Sequence, residues 1–398
     1  MSFRAVPISD GITWVGAIDW NLRDFHGYET PRGSTYNAYL VRGEKTALVD
    51  TVKLPFVEEL ISRVRAVCDP ADVDYIVVNH IEPDHNGGLR AVMEAMPNAA
   101  VVASRSGAAG IAEYHDGLQV GVVGADDVID LGGRAIRFLP QPMVHWPDSM
   151  FSYCPEDCVL MPNDAFGQHL ATDARFADEV GVDLALEELG VYYANILMPL
   201  GKQVAKAVEK VKELGWICNV IAPSHGVAWR GGDIGTLLDR YAELTSGKTR
   251  EKIVVAYGTM WGSTDVLARA VADGAIAEGA EVVLYDLAVS PVATVTTELL
   301  DARALLVGSP TLHHGMLFRV AGYLQWIAGL KPAGKIGGAF GSYGWSSGAT
   351  KQITARLEEI GFEMPIEPYT QKFRPNAEEI DAARAWGAEF ARLIKERE

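Results

Sequence analysis

Cysteine is scarce in this chain of 398 residues: only Cys68, Cys154, Cys158 and Cys218 occur. Four thiols so placed make no disulfide framework of the secreted kind. Cys154 and Cys158 lie close together but have no second pair, which excludes a four-thiolate iron site. No apolar run approaches the ~20 residues that span a bilayer, and residues 1–7 lack the apolar core of a signal peptide. Positive charge is also in short supply. Lys and Arg number 35 against 52 Asp and Glu, a formal net charge of −17. Nucleic-acid phosphates demand a basic surface, so a nucleic-acid partner is not expected. There is no internal repeat and no low-complexity tract. These absences lead us to expect a cytoplasmic protein, free of membrane segments and long enough for two domains.

The densest feature present is His80, Glu82, Asp84 and His85, which fall within six residues. They follow residues 75–79, a short apolar run rich in β-branched side chains that reads as a buried strand. Potential ligands thus emerge where a strand gives way to a loop, the place where open sheets hold their sites. In an extended loop His80, Glu82 and Asp84 share one side by parity, and His85 points elsewhere, toward a second metal. Three more candidates repeat the pattern. Residues 136–139 lead through Pro140 and Pro142 to His145, residues 159–161 lead to Asp164, and residues 220–222 lead to His225. A lone histidine beside a core is more often structural. Four strands that each end in a ligand-type residue are harder to attribute to packing.

This set resembles the metallo-β-lactamase fold, whose binuclear hydrolases carry H-x-H-x-D-H. Glu82 stands where those enzymes have the second histidine. With His145, Asp164 and His225 in order, the pattern is similar to the flavodiiron proteins (A-type flavoproteins), and the resemblance covers essentially the whole chain. It implies one iron on His80, Glu82 and His145, a second on Asp84, His85 and His225, and Asp164 bridging the two. The chemistry agrees, because zinc favours imidazole and thiolate whereas added hard carboxylates favour iron or manganese. Three carboxylates and neutral imidazoles leave two ferrous ions with a single excess positive charge. One bridging hydroxide cancels it and spares a large desolvation cost. His26, Trp146, Tyr192 and Tyr193 flank the ligand-bearing segments or lie in aromatic-rich stretches, and are candidates to tune the metals.

The second half carries a different signal. A strand over residues 252–257 runs into a hydroxyl- and glycine-containing turn, and a helix follows over about residues 265–278. Helix-start amides and Ser/Thr hydroxyls can cradle a phosphate without Lys or Arg. Neither G-x-x-x-x-G-K-[ST] nor a clean G-x-G-x-x-G is present, so neither a nucleoside triphosphate nor a dinucleotide is indicated. The turn resembles the phosphate loop of flavodoxins, which hold flavin mononucleotide (FMN). Two further strand-to-loop passages, at residues 304–311 and 336–345, agree with it. The resemblance assigns Thr259, Trp261, Ser263 and Thr264 to the phosphate end, with Met260 and Gly262 as further cofactor-binding candidates. It assigns Ser309, Pro310, Thr311, Ser342, Tyr343, Gly344 and Trp345 to the isoalloxazine end, and Gly315 is a further cofactor-binding candidate. His313 and His314 stand where the family usually has two asparagines. They either tune the flavin or face solvent.

A helix over about residues 234–244 and a polar linker over 245–251 place the domain boundary near residue 250. The fold expected is α/β: a metallo-β-lactamase-like αββα sandwich over residues 1–249 and a flavodoxin-like doubly wound parallel sheet over 250–398. A flavin and a binuclear site in one chain imply electron flow from an external donor through FMN to the metals. The resemblance then implies an oxidoreductase that reduces dioxygen to water, nitric oxide to nitrous oxide, or both. No electron-donor domain follows within the 398 residues, so a separate donor is expected, a rubredoxin or alternatively a deazaflavin. Lys202, Lys206 and Lys210 form a basic stripe at helical spacing, either a solvated face or a dock for an acidic carrier. The family's arrangement is a head-to-tail homodimer or a dimer of such dimers. Two other readings are a binuclear hydrolase with an attached flavodoxin module, which Glu82 opposes, and a redox-sensing flavoprotein with structural metals.

Overall fold

A computed structural model describes residues 3–396. Met1 and Ser2, part of the stretch read for a signal peptide, lie outside the described residues. The chain forms two compact units, one made of Met1–Tyr192 and Leu200–Ala242, the other of Tyr193–Pro199 and Glu243–Glu398.

The first unit contains a seven-stranded and a six-stranded sheet. Tyr75–Val78 lies inside the seven-stranded sheet, parallel to both of its neighbours, Thr46–Val49 and Ala100–Ala103. The six-stranded sheet carries Ala135–Pro140, Met150–Cys154, Val159–Met161 and Val220–Ile221 side by side. Period-two alternation sorts the side chains. Val77 packs in one core with Ile136, Phe138, Met150, Val159, Met161 and Val220 from the other sheet. Its neighbours Ile76 and Val78 face outward onto Leu60, Ile61 and Val64 of the helix Val57–Arg65. On the far side, Phe151, Leu160 and Ile221 face Val208 and Val211 of the helix Gly201–Glu213. The layers are therefore helix, sheet, sheet, helix, as the sequence predicted.

The second unit is built on a five-stranded parallel sheet. Its order is Glu281–Asp286, Arg250–Tyr257, Ala302–Gly308, Ile336–Tyr343, Tyr369–Lys372, or 2-1-3-4-5 in sequence. One face is covered by Ser263–Ala277 and Ala377–Lys395, the other by Phe318–Leu330 and Gly348–Ile360 among others. The order reverses between its first and third strands, and the crevice at their carboxyl ends is where such sheets bind ligands.

Two expectations about local structure need correction. The polar linker is shorter than residues 245–251. The helix Asp233–Ser246 continues through Ser246, and Gly247 ends it at a φ of 67°, the left-handed conformation that suits a helix C-terminus. The next strand starts already at Arg250, whose guanidinium meets Glu281 at 2.7 Å and Asp301 at 2.7 Å. Residues 247–249 alone connect helix to strand. The second correction concerns Asp84. The loop after His80 is not extended, because Pro83–Asn86 is a turn of helix with Pro83 at its first position. Parity fails there, and Asp84 turns away from His80 and Glu82.

Candidate metal centre and flavin cleft

Four strand ends deliver the seven candidate ligands to one place, where they form two adjoining groups. The first is His80, Glu82, His145 and Asp164; the second is Asp84, His85 and His225. Within each, donor atoms lie within 4.8 Å of one another. In the first group Glu82 Oε2 is 3.3 Å from both His80 Nε2 and His145 Nε2. In the second, Asp84 Oδ1 is 3.4 Å from His85 Nε2 and its Oδ2 is 3.2 Å from His225 Nε2. Asp164 faces both. Its Oδ2 is 3.1 Å from His145 Nε2, and its Oδ1 is 3.1 Å from His85 Nε2 and 3.4 Å from His225 Nε2. Two donors each about 2.0–2.2 Å from one ion stand about 3–3.5 Å apart in octahedral to tetrahedral geometry. The observed spacings match the edges of two coordination polyhedra that share one carboxylate.

The surroundings aim the donors. His80 Nδ1 donates to Asp148 Oδ2 at 2.9 Å and His225 Nδ1 donates to the Thr35 carbonyl at 2.7 Å. Each bond fixes the tautomer, so both Nε2 lone pairs face the centre. Both oxygens of Asp84, His85 Nε2 and Asp164 Oδ2 are buried without a hydrogen bond, which in a native interior calls for a partner such as an ion. Burial pushes His80 and His145 down, yet the facing carboxylates outweigh it and raise both to about 10. His85 rises to about 9 against the same burial, through Asp84 and Asp164. The pocket thus attracts positive charge, and these residues fit a pair of divalent cations.

Of the tuning candidates, His26 Nε2 lies 2.7 Å from Glu82 Oε1, and that bond raises the pKa of its imidazole. Trp146 meets His80 edge-on at 5.1 Å, and Tyr192 lies 5.9 Å from His225. Tyr193 instead opens the π-helical turn Tyr193–Leu197, which belongs to the second unit. Three residues beside the metal centre were missed. Asp148 sits three residues past His145, a spacing that could have flagged it. Asp50, buried at a φ of 58°, accepts from Asn79 N at 2.7 Å and from Asn163 Nδ2 at 3.3 Å, and so anchors the loops of His80 and Asp164. Buried His169 lies 5.3 Å from His225, and burial together with His225 holds its pKa well below the usual imidazole range.

In the second unit, Met260, Trp261, Ser263, Pro310, Thr311, Ser342, Tyr343, Gly344 and Trp345 line one cleft of about 620 Å³. That is the size of a site for a drug-sized cofactor, roughly 300–1,000 Å³. Leu312, His313, His314, Ser346 and Phe373 complete it; Phe373 follows the last strand and its position at a strand's carboxyl end was the overlooked signal. Trp261 and Trp345 are 93% and 89% exposed, broad apolar faces free to stack on a ring. Gly262, at a φ of 85°, begins the helix Ser263–Ala277 with no side-chain cap, which leaves helix-start amides for an anion. Thr259 Oγ1 accepts from Gly262 N at 3.1 Å and retains its own proton to donate. Thr264 is fully buried beneath the cleft, its Oγ1 2.9 Å from Ser342 Oγ. Ser309 is also buried and accepts from Leu317 N at 2.9 Å; Gly315 pairs with Leu312. These last three shape the loops rather than line the cleft.

Fold and donor set together define a class: a metallo-β-lactamase-like domain joined to a flavodoxin-like domain. Residues 35–226 match the ODP family beta lactamase and residues 255–387 match flavodoxin. The chain is 44% identical to a nitric oxide reductase of Moorella thermoacetica, over 98% of this chain and 99% of the relative. Among solved structures, rubredoxin oxygen:oxidoreductase of Desulfovibrio gigas is 40% identical with a TM-score of 0.96, over 99% of both chains. The flavodiiron protein of Giardia intestinalis is 34% identical with a TM-score of 0.95, over 100% of this chain and 98% of the other. The chain belongs to the flavodiiron protein family.

Proposed function

We propose that this protein is an oxidoreductase that carries electrons from a separate donor, through FMN, to a non-haem diiron site, and reduces dioxygen to water, nitric oxide to nitrous oxide, or both. The observation that carries this reading is Asp164, whose two oxygens face the two donor groups separately. His80, Glu82 and His145 would hold one iron and Asp84, His85 and His225 the other, with Asp164 placed to serve both. When bound, the iron pair supplies reducing equivalents to the gas, and the flavin relays them one or two at a time.

The chain's own residues set the conditions. Asp148 and the Thr35 carbonyl keep His80 and His225 in the tautomer that offers Nε2. His26, half exposed and bonded to Glu82, holds a proton at the edge of the pocket. In the cleft, Thr259, Ser263 and the amides after Gly262 take the FMN phosphate, and Trp261, Tyr343 and Trp345 border the ring. The donor is a small acidic carrier of the rubredoxin kind, in keeping with the relatives named for rubredoxin. Catalysis runs across a head-to-tail homodimer, alone or doubled, and the boundary between the two domains of each chain falls near residue 250. A cytoplasmic location is supported by four free cysteines. No helix among the described residues is long and apolar enough to cross a membrane.

The test is anaerobic. Protein reduced through its flavin is mixed with dioxygen or nitric oxide, and reoxidation is followed alongside elemental analysis. About two irons and one FMN per chain with fast reoxidation by either gas is the expected result. Two zincs in protein made with iron in excess, or slow reoxidation by both gases, overturns the reading.

A further inference from the structure

The outer face of the six-stranded sheet does not pack solidly against its helices. A cavity of about 140 Å³ remains there, partly open to solvent, lined by Leu160 and Ile221 from the sheet, by Phe166, Val208, Ile234 and Leu238, and by half-buried Trp216 and the exposed Lys212. We propose that this cavity is a holding site for the diatomic gas that the protein reduces, an inference that rests on the gas-reductase reading above.

Three observations carry it. The first is size and lining. Enclosed apolar cavities of about 150 Å³ take up xenon or benzene; here apolar side chains predominate, and Lys212, being exposed, can keep its ammonium in solvent while its stem lines the wall. Dioxygen and nitric oxide are small and nearly apolar, so they partition into such a space as xenon does. Cys218 reaches the lining, and burial pushes its thiol up to about 11, which keeps it neutral and apolar in character near pH 7.

The second observation is position. Leu160 and Ile221 are register partners on adjacent parallel strands. Four residues further along the chain, past the ends of those two strands at Met161 and Ile221, come Asp164 and His225. At a fully extended reach of at most about 3.6 Å per residue, the backbone of Leu160 and Ile221 lies within roughly 14 Å of that of Asp164 and His225.

The third is Phe166. It lines the cavity and lies two residues past Asp164, at a φ of 67°. Its amide donates to the Tyr241 hydroxyl, and its carbonyl accepts from Gln168 Nε2 at 2.6 Å and Trp229 Nε1 at 3.3 Å. The same residue thus belongs to the cavity wall and to the loop that presents Asp164.

The experiment uses the holoprotein. Crystals under xenon pressure should show the atom in this cavity, and xenon in solution should raise the KM for dioxygen or nitric oxide while kcat is kept. Val208→Phe fills the space. It should exclude xenon and raise KM about five-fold, with kcat, iron and FMN content unchanged, the signature of lost substrate capture rather than lost chemistry. Wild-type competition by xenon reads the same site should the variant fold poorly. An empty cavity under xenon, or a KM indifferent both to xenon and to Val208→Phe, overturns the holding site while leaving the proposed reaction intact. A wild-type protein that binds xenon but reduces neither gas overturns the proposed reaction, and with it the role of the cavity as a substrate store.

Discussion

Asp148 grips His80 from behind: its Oδ2 accepts from His80 Nδ1 at 2.9 Å and from the Ile81 amide at 2.8 Å. A single carboxylate therefore fixes both the imidazole and the chain that carries it. Such outer partners orient a ligand and raise its basicity, and their loss typically weakens metal binding 10–100-fold. Asp148→Asn keeps the shape but removes the charge. Iron affinity, measured by chelator competition, should fall by about ten-fold or more, with FMN content unaffected. Unchanged affinity would show that Asp148 does no more than shape the loop.

Asp164 is more exacting. Its Oδ1 faces His85 and His225, its Oδ2 faces His145, and Ser224 Oγ donates to Oδ1 at 2.7 Å. Asp164→Asn exchanges one anionic oxygen for an NH2 group that cannot bridge. Iron content or gas turnover should collapse while the visible flavin spectrum is retained. Full activity in this variant would remove Asp164 from the centre.

That the candidate ligands come together was legible because each follows a short apolar run, and a buried strand announces itself by β-branched residues at any position in the sequence. The grouping of Asp84 was not legible from parity. Pro83 starts a helical turn, and a side-chain period of two does not survive a switch to 3.6. Asp50 escaped notice for another reason: it acts on backbone groups of Asn79 and the side chain of Asn163, contacts that only tertiary structure creates. The flavin loops were legible as strand ends, yet hydroxyl type alone did not separate Ser263, which lines the cleft, from Thr264, which lies beneath it.

That separation can be measured. Thr264→Ala removes the partner of Ser342 at 2.9 Å and leaves a small buried gap. Ser263→Ala removes a hydroxyl at the cleft itself. A hydrogen bond to a charged group is worth roughly 1.5–3 kcal/mol, so Ser263→Ala should weaken FMN by about ten-fold or more. Thr264→Ala should act through Ser342 and lower thermal stability as well. Fluorescence titration of the apoprotein reads the affinities. Equal affinity in wild type and Ser263→Ala would move the phosphate elsewhere.

Lys335 gives the second unit a pH dependence. It is buried, donates to the Ala302 carbonyl at 2.6 Å, and burial lowers its pKa to about 8. The unfolded chain keeps an ordinary lysine pKa near 10.4. Between these values the unfolded state binds more protons, so stability rises with pH through this window and the cost is fully present below it. Lys335→Met should therefore stabilise the protein near pH 7, by on the order of 1–3 kcal/mol before the lost Ala302 bond, with the advantage fading by about pH 10. Thermal melts of both proteins across pH 7–10 test it. A difference that stays constant with pH would mean that Lys335 is not titrating in that range.

The cross-chain arrangement has the most direct test. Two inactive variants are needed. Asp164→Asn lacks a working metal centre but binds FMN. Gly262→Val should lack FMN, because a β-branched residue resists the φ of 85° where the phosphate loop enters the helix Ser263–Ala277. In a head-to-tail homodimer each flavin serves the metals of the other chain, and a two-fold axis repeats the contact. After subunit exchange, a mixed dimer then holds one intact flavin opposite one intact metal centre, and activity should return toward half the wild-type value per such dimer. Within a single chain no such rescue exists, since every chain in the mixture is defective in one of the two sites. Exchange followed by native mass spectrometry with no recovered turnover, or a fully active monomer in sedimentation, would sink the cross-chain path and require the flavin and metals of one chain to work together.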